Sequence, residues 1–419
     1  MNEKTVINGP VYDARTLGTP KMLVLGIQHM FAMFGATVLV PILTGLDIAT
    51  TLLFAGLGTL LFHFITKRKV PAFLGSSFAF IGGYNAIRQV GVDAAGQPIY
   101  NNDLLIYACF GVACAGLMYV ILSALFKAFG VKKVMKFFPP IVTGPIIISI
   151  GLILSSSAIT NCNANWLVAV SAIVIVICFN IWGKGMTKII PILLGVLGSY
   201  VISMIFDPAS RAKVVESVAA ADMLGLPINW DRTVFHLFNM NVDTGMLLSA
   251  VFTIVPLSLA TTLAALFGAP ANTTYGENTG VLALSKVYDP RVIRIAACFA
   301  IVFSFCPKFA ALITAMPTAT IGGVSLILYG MISAVGVRNV VENKVDFTNS
   351  RNVIVAALIL VLAIGINYSV GSIQIGIVSL SGLAVASLVG IAVNAILPGK
   401  DYEFGVDEQG DTSVNFIIR

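Results

Sequence analysis

The chain has 419 residues, of which 58% are hydrophobic and 11% charged, and its mean hydropathy is +0.94. Soluble domains carry about 25% charged residues, so this composition excludes a water-soluble globule and points to an integral membrane protein. The net charge of +6 comes from Lys and Arg in short loops between apolar runs, the pattern that orients a membrane protein, and it does not call for nucleic acid.

Apolar runs of about 20 residues recur from end to end, which means spanning helices rather than a barrel. Residues 1–21 are polar, lack the short apolar core and cleavage site of a signal peptide, and read as a cytoplasmic N-terminus. The first span, 22–43, carries Gln28, His29 and Phe34-Gly35-Ala36-Thr37. The second, 51–66, ends in Lys67-Arg68-Lys69, which fixes that end in the cytoplasm. Residues 71–80 are broken and polar within an apolar context. A polar loop around 88–103 leads to a span at 104–126 and a basic loop with Lys127, Lys132, Lys133 and Lys136. Spans near 138–154, 166–182 and 189–206 precede a longer polar stretch, 207–243, on the outside. Then come 246–267, the interrupted run 268–280, and spans near 292–305, 320–335, 353–366 and 373–397. The tail from Gly399 is polar and reads as cytoplasmic. Six cysteines without a Cys-x-x-Cys pair read as small packing residues, with no disulfide framework or metal site.

The run Gly268-Ala269-Pro270-Ala271-Asn272-Thr273-Thr274-Tyr275-Gly276-Glu277-Asn278-Thr279-Gly280 is too polar for lipid and too rich in Gly and Pro for an unbroken helix. Irregular backbone at membrane depth is tolerated only where protein buries it or a watery cavity meets it. Glu277 is the one acidic residue that falls inside a span, and an intramembrane carboxylate marks a functional site by default. Interrupted segments in corresponding halves, here 71–80 and 268–280, are the sequence pointer to a transporter of inverted repeats with its site between them. Two Pro-kinked structural helices are the alternative, but a kink needs no carboxylate.

At Gln28-His29-Met30-Phe31-Ala32-Met33-Phe34-Gly35-Ala36-Thr37, at 71–80, and at Asn272-Thr273-Thr274-Tyr275-Gly276-Glu277-Asn278, the chain resembles the uracil branch of the nucleobase–cation symporter (nucleobase–ascorbate transporter) family. The resemblance runs over about 17–398. The purine branch usually has Gln-Asn where this chain has Glu277-Asn278, which favours uracil and leaves a xanthine or purine permease as an alternative. The resemblance implies an all-α polytopic fold of inverted seven-span repeats, about fourteen spans in the family and about twelve to thirteen here. A core domain (22–136 and 244–315) would carry the site, and a gate domain (137–243 and 316–398) would move against it. Residues 399–419 would form the cytoplasmic tail. Two short strands would replace helix in the third and tenth spans, near 77–80 and 272–275. Carried over by residue, Ala36, Phe78, Tyr275, Gly276 and Glu277 would line the pocket. The proton would be the coupling ion, with Glu277 and His29 as candidates, and no other cofactor is implied. The setting would be a bacterial cytoplasmic membrane, and a homodimer is compatible with the resemblance.

The chemistry fits on its own terms. Uracil presents two N–H donors and two carbonyl acceptors, and an ionised Glu277 supplies only acceptors, so it can hold an N–H edge. Backbone N–H groups freed at the broken helices can answer the carbonyls. Phe78 could stack on the ring, a contact worth roughly 1–3 kcal/mol for bases elsewhere; without the motif it would read as ordinary packing. His29, on an apolar span, reads as a hydrogen-bonded core histidine before a proton carrier.

One departure stands out. The family has a base-binding glutamate in its eighth span, then a loop and a ninth span. Here 255–261 resembles the start of the eighth and 263–268 the end of the ninth, with no Glu-His pair between, so roughly forty residues are missing. The 22 residues of 246–267 suffice for one crossing. With the family's orientation kept throughout, 20 Lys and Arg lie inside and 5 outside; a single crossing here would invert everything downstream and leave 13 against 12. Either the segment dips in and returns, or half the chain is inverted. The readings carried forward are a proton-coupled uracil symporter, a non-transporting shortened relative that still binds nucleobase, and an anion transporter on the same fold, which Glu277 opposes. An enzyme is not expected, for no nucleophile–base pair, metal cluster or phosphate loop is present.

Overall fold

The structure, a computed structural model, describes residues 10–92, 98–130, 133, 136–239, 242–254, 270, 272–274, 278, 281–282, 285–375 and 378–399. Its helices of eight residues or more are α1 (Thr19–Thr44), α2 (Ile48–Ile65), α3 (Ile81–Arg88), α4 (Leu105–Phe129), α5 (Pro140–Cys162), α6 (Trp166–Trp182) and α7 (Pro191–Phe206), followed by α8 (Pro208–Ala220), α9 (Thr244–Ile254), α10 (Pro290–Ser304), α11 (Pro307–Thr314), α12 (Thr318–Glu342), α13 (Ser350–Ser369) and α14 (Gly382–Ile396). Three antiparallel strand pairs accompany them: β1 (Leu74–Ser76) with β4 (Asn272–Thr274), β2 (Gln89–Val92) with β3 (Pro98–Tyr100), and β5 (Ser372–Ile375) with β6 (Val378–Ser381). Among the described residues, α1, α2, α5, α12 and α13 are each long and apolar enough to cross a membrane. The pairs α7–α8 and α10–α11 are apolar and long enough only when each is taken together, and they are bent by 111° and 86°, as in a broken span or a re-entrant loop. The protein is a multi-pass helical membrane protein.

Local chemistry sets the helix ends. Gly45, with φ +77°, closes α1 by returning its N–H to Pro41 O. Asp47 caps α2, accepting from the Thr50 N–H at 2.6 Å. Pro208 and Pro307 open α8 and α11, where a missing N–H costs nothing and the chain can turn sharply.

α10 runs parallel to α1. At their N-terminal ends, Asp289 accepts from the Ala14 N–H at 2.7 Å, Arg291 pairs with Asp13, and the Val11 N–H donates to Lys286 O at 2.8 Å. At the other end Asp47 and Ser304 face one open pocket. Between them Gly56 admits α10 against α2, where a Cβ would stand 2.6 Å from Ala297 O. The turn at 286–294 therefore shares an end with the N-terminal segment. That shared end is the one expected if the downstream half keeps the family's orientation.

α5 and α12 lie antiparallel and close together. A Cβ on Gly336 would stand 2.8 Å from Gly144 O, and one on Gly322 would stand 2.5 Å from Cys162 N. α5 also packs on α13 and α14, as α12 packs on α6 and α7. On the other side of the molecule α10 packs on α1 and α2, and α9 on α4 and α3.

Several expectations change. The span expected at 373–397 is a hairpin followed by a 15-residue helix. Ser372-Ile373-Gln374-Ile375 and Val378-Ser379-Leu380-Ser381 alternate polar and apolar with period two, which suits a strand and not a helix. The strand expected near 77–80 lies at Leu74–Ser76, and Phe78–Phe80 is a 3₁₀ turn leading into α3. The hydroxyl bonds that join β1 to α2 and α1 reach only as far as Ser76, and beyond it the chain turns helical. Among the described residues there are six strands where two were expected. The stretch 207–243, expected on the outside, contains α8, and of 246–267 only the part up to Ile254 lies among the described residues.

Candidate functional site

The fold brings the two interrupted stretches together. β1 and β4 pair with Leu74 opposite Thr274, Gly75 opposite Thr273 and Ser76 opposite Asn272. A two-stranded patch inside a helical membrane protein satisfies its inner edges by pairing, but its other polar groups need partners. Thr59 of α2 meets one end of β1: its Oγ1 accepts from the Leu74 N–H at 2.9 Å and contacts Leu74 O at 3.2 Å. At the other end Ser76 Oγ donates to Thr37 O of α1 at 3.0 Å.

Of the sequence-predicted residues, Phe78 sits two residues beyond β1, half-buried. It packs where Val40 of α1 and Ile81 of α3 meet Leu154 and Ala158 of α5 and Tyr329 of α12. Ala36 lies in α1 one residue before Thr37, and so beside the carbonyl that Ser76 reaches. Tyr275, Gly276 and Glu277 lie outside the described residues. His29 is fully buried in α1, and its partner comes from the second stretch. Asn278 Nδ2 donates to His29 O at 2.9 Å and lies 3.3 Å from His29 Nδ1. With Nδ2 as donor, Nδ1 accepts and the proton of the neutral ring sits on Nε2. Nε2 has no partner among the described residues. The broken stretches thus meet α1 at two levels, through Ser76 and through Asn278.

Sequence reasoning did not single out Ser76, Asn278 or Tyr329. Asn278 was legible in principle, as a polar neighbour of Glu277 in an apolar span. Tyr329, 1% exposed with its hydroxyl beside Ser157 and Ser325, is distant in sequence from either stretch and carries no local signal. The open pocket of about 480 Å³ is elsewhere, lined by Asp47, Pro227, Trp230, Asp231, Ser304 and Pro307 at the end remote from the N-terminus. It contains no residue of either interrupted stretch, and the paired strands, not this surface hollow, are the candidate site. Among the described residues no three His, Cys, Asp or Glu gather as a metal-binding set.

A family model described as "Permease family" matches the chain over residues 20–257 and 253–371, two stretches that overlap at 253–257. The chain is 36% identical to the uracil permease of Bacillus subtilis (strain 168), covering 92% of this chain and 94% of that protein. It is 33% identical to the uracil permease of Escherichia coli (strain K12), covering 89% and 90%. In the first of these alignments, 92% of 419 residues, about 385, stand against 430 positions, so about 45 positions of the relative face no residue of this chain. Two solved structures share the fold. The transmembrane domain of the cyanobacterial bicarbonate transporter BicA matches with a TM-score of 0.55 at 13% identity, over 92% of this chain and 99% of that one. The murine anion transporter Slc26a9, facing inward, matches with a TM-score of 0.51 at 13% identity, over 94% and 73%. At that identity the likeness is one of fold and not of cargo. The interrupted helices, the paired strands between them and the extent of the matches lead to one assignment: the chain belongs to this permease family, the nucleobase–ascorbate transporters, among its bacterial uracil permeases.

Proposed function

We propose that this protein carries uracil across a bacterial cytoplasmic membrane, coupled to protons, by alternating access. The observation that carries the reading is the β1–β4 pair, which joins the two interrupted stretches at one place against α1. Uracil permeases among the relatives support the cargo. Glu277, three residues beyond β4, would accept the N–H edge of the base and would be the membrane carboxylate that takes up and releases the proton. Phe78 would stack on the ring, and Ala36, Tyr275 and Gly276 would complete the wall. His29, held by Asn278, would shape the pocket floor.

Alternating access would come from a core (22–136 and 244–315) and a gate (137–243 and 316–398) related by an inverted repeat. The mirrored packing supports that division: α5 contacts α13 and α14 as α12 contacts α6 and α7. Phe78 lies where the two units meet, so their relative movement would open the pocket to either side.

A second reading is favoured by one observation. The family match is split at 253–257, and about 45 positions of the Bacillus subtilis relative have no counterpart here. An internally shortened chain that lacks the eighth-span glutamate would bind nucleobase without transporting it. Labelled uracil uptake in a bacterium lacking its own carrier separates the two. Protonophore-sensitive uptake, abolished in Glu277→Gln and poorly competed by xanthine, is the expected result. No uptake by protein that is present in the membrane and still binds uracil would establish the second reading instead.

A further inference from the structure

Pro41 lies inside α1 and has no amide proton, so the helical bond to Thr37 O, four residues back, cannot form. The proline ring also crowds that carbonyl. A carbonyl in a membrane interior that loses its helical donor needs another. Ser76 supplies it: Oγ donates to Thr37 O at 3.0 Å, and both residues are fully buried. Ser76 is the last residue of β1 and pairs with Asn272 of β4, so the bond ties α1 to the strand pair itself. It also falls between two residues of the candidate pocket, since Ala36 precedes Thr37 and Phe78 follows Ser76 by two. Thr59 holds the opposite end of the strand to α2.

We infer that Ser76 is a positioning residue for the nucleobase: its hydroxyl docks β1 into the gap that Pro41 opens in α1 and so sets the separation between the Ala36 and Phe78 walls. This rests on the nucleobase reading of the site. A hydroxyl that only satisfied a carbonyl could be replaced by any other donor. A hydroxyl that ties two elements could not.

Pro41→Ala separates these roles, because the substitution restores an N–H to Thr37 O from within the helix but does not restore the hydroxyl's tie between β1 and α1 once it is gone. Labelled-uracil binding, uptake kinetics and melting temperature would be measured on the full chain as wild type, Ser76→Ala, and Ser76→Ala with Pro41→Ala. The expected result is about ten-fold weaker uracil binding in Ser76→Ala, seen in KM with the maximal rate per carrier little changed. In the double variant the lost melting temperature returns and the lost affinity does not. Ser76→Cys, of the same shape with a weaker donor, folds if Ser76→Ala does not, and its affinity falls between wild type and Ser76→Ala. Unaltered affinity in the single variants, or wild-type affinity regained in the double variant, overturns the inference while uracil binding by wild type upholds the function. Wild type that binds no nucleobase refutes the function, and the inference falls with it.

Discussion

The side chains that matter most here are buried polar groups whose partners come from other elements. Asn278, 1% exposed, spends its amide donors on the carbonyl and ring of His29, so Asn278→Ala would leave a buried imidazole nitrogen without a donor. A loss of about 1–3 kcal/mol is expected, read as a lower melting temperature in detergent. Arg88, 7% exposed, caps the end of α1 from the end of α3. Nη2 donates to Leu43 O at 2.7 Å, Nη1 to Asn102 Oδ1 at 3.0 Å and Nε to Asn85 Oδ1 at 2.9 Å, while the guanidinium lies 4.0 Å from the Tyr100 ring centroid. Lysine keeps the charge but cannot reproduce the planar fork or the stacking. Arg88→Lys should therefore destabilise the protein by about 1–3 kcal/mol in the same assay, and an unchanged melting temperature would show the fork to be idle.

Helices pack here through small residues, because lipid offers no hydrophobic gain for bringing them together and close van der Waals contact must do the work. The α5–α12 seam is the clearest case. A Cβ on Gly151 would overlap Ser333 Oγ and Tyr329 O, so Gly151→Val must separate the helices. Overpacking of this kind costs about 1–3 kcal/mol, sometimes more. Gly330→Ala, on α12 with nothing within 4 Å of the added carbon, is the control and should leave the melting temperature unchanged or slightly raised. The seam was not legible in the sequence, since glycines recur throughout the chain and only the crossing of two helices selects the ones that touch. The terminal hairpin was legible: the alternation at 372–381 has a strand period, hidden by its overall hydrophobicity.

At the scale of the molecule, the N-terminal segment is fastened to the 286–294 turn by Ala14, Asp13 and Val11. Cysteines replacing Lys69 and Lys286 in a background free of the native six should be labelled from the same side of the membrane, and one replacing Leu224 from the other. Labelling of Lys286→Cys from the Leu224 side would mean an inverted second half. Asp13 has a carboxyl held below the usual carboxylate range by the Arg15 amide and then by the Arg291 guanidinium. Its contribution to this fastening is present at neutral pH and is lost only as acid takes the pH down through the ordinary carboxylate range and then through that lowered value.

By itself the sequence determined the membrane class, most of the spans, the two interrupted stretches and the family. Each of these depends on local composition or on a contiguous run of residues, and such signals survive without a fold. The tertiary structure alone decided that β1 ends at Ser76, that Asn278 clamps His29, that Phe78 packs against the cluster containing Tyr329, and that the 286–294 turn lies at the end of the N-terminal segment. These are contacts between residues tens to hundreds of positions apart. A hydroxyl finds the carbonyl that a proline left bare only when two helices and a strand have already met, and no single stretch of sequence contains that meeting.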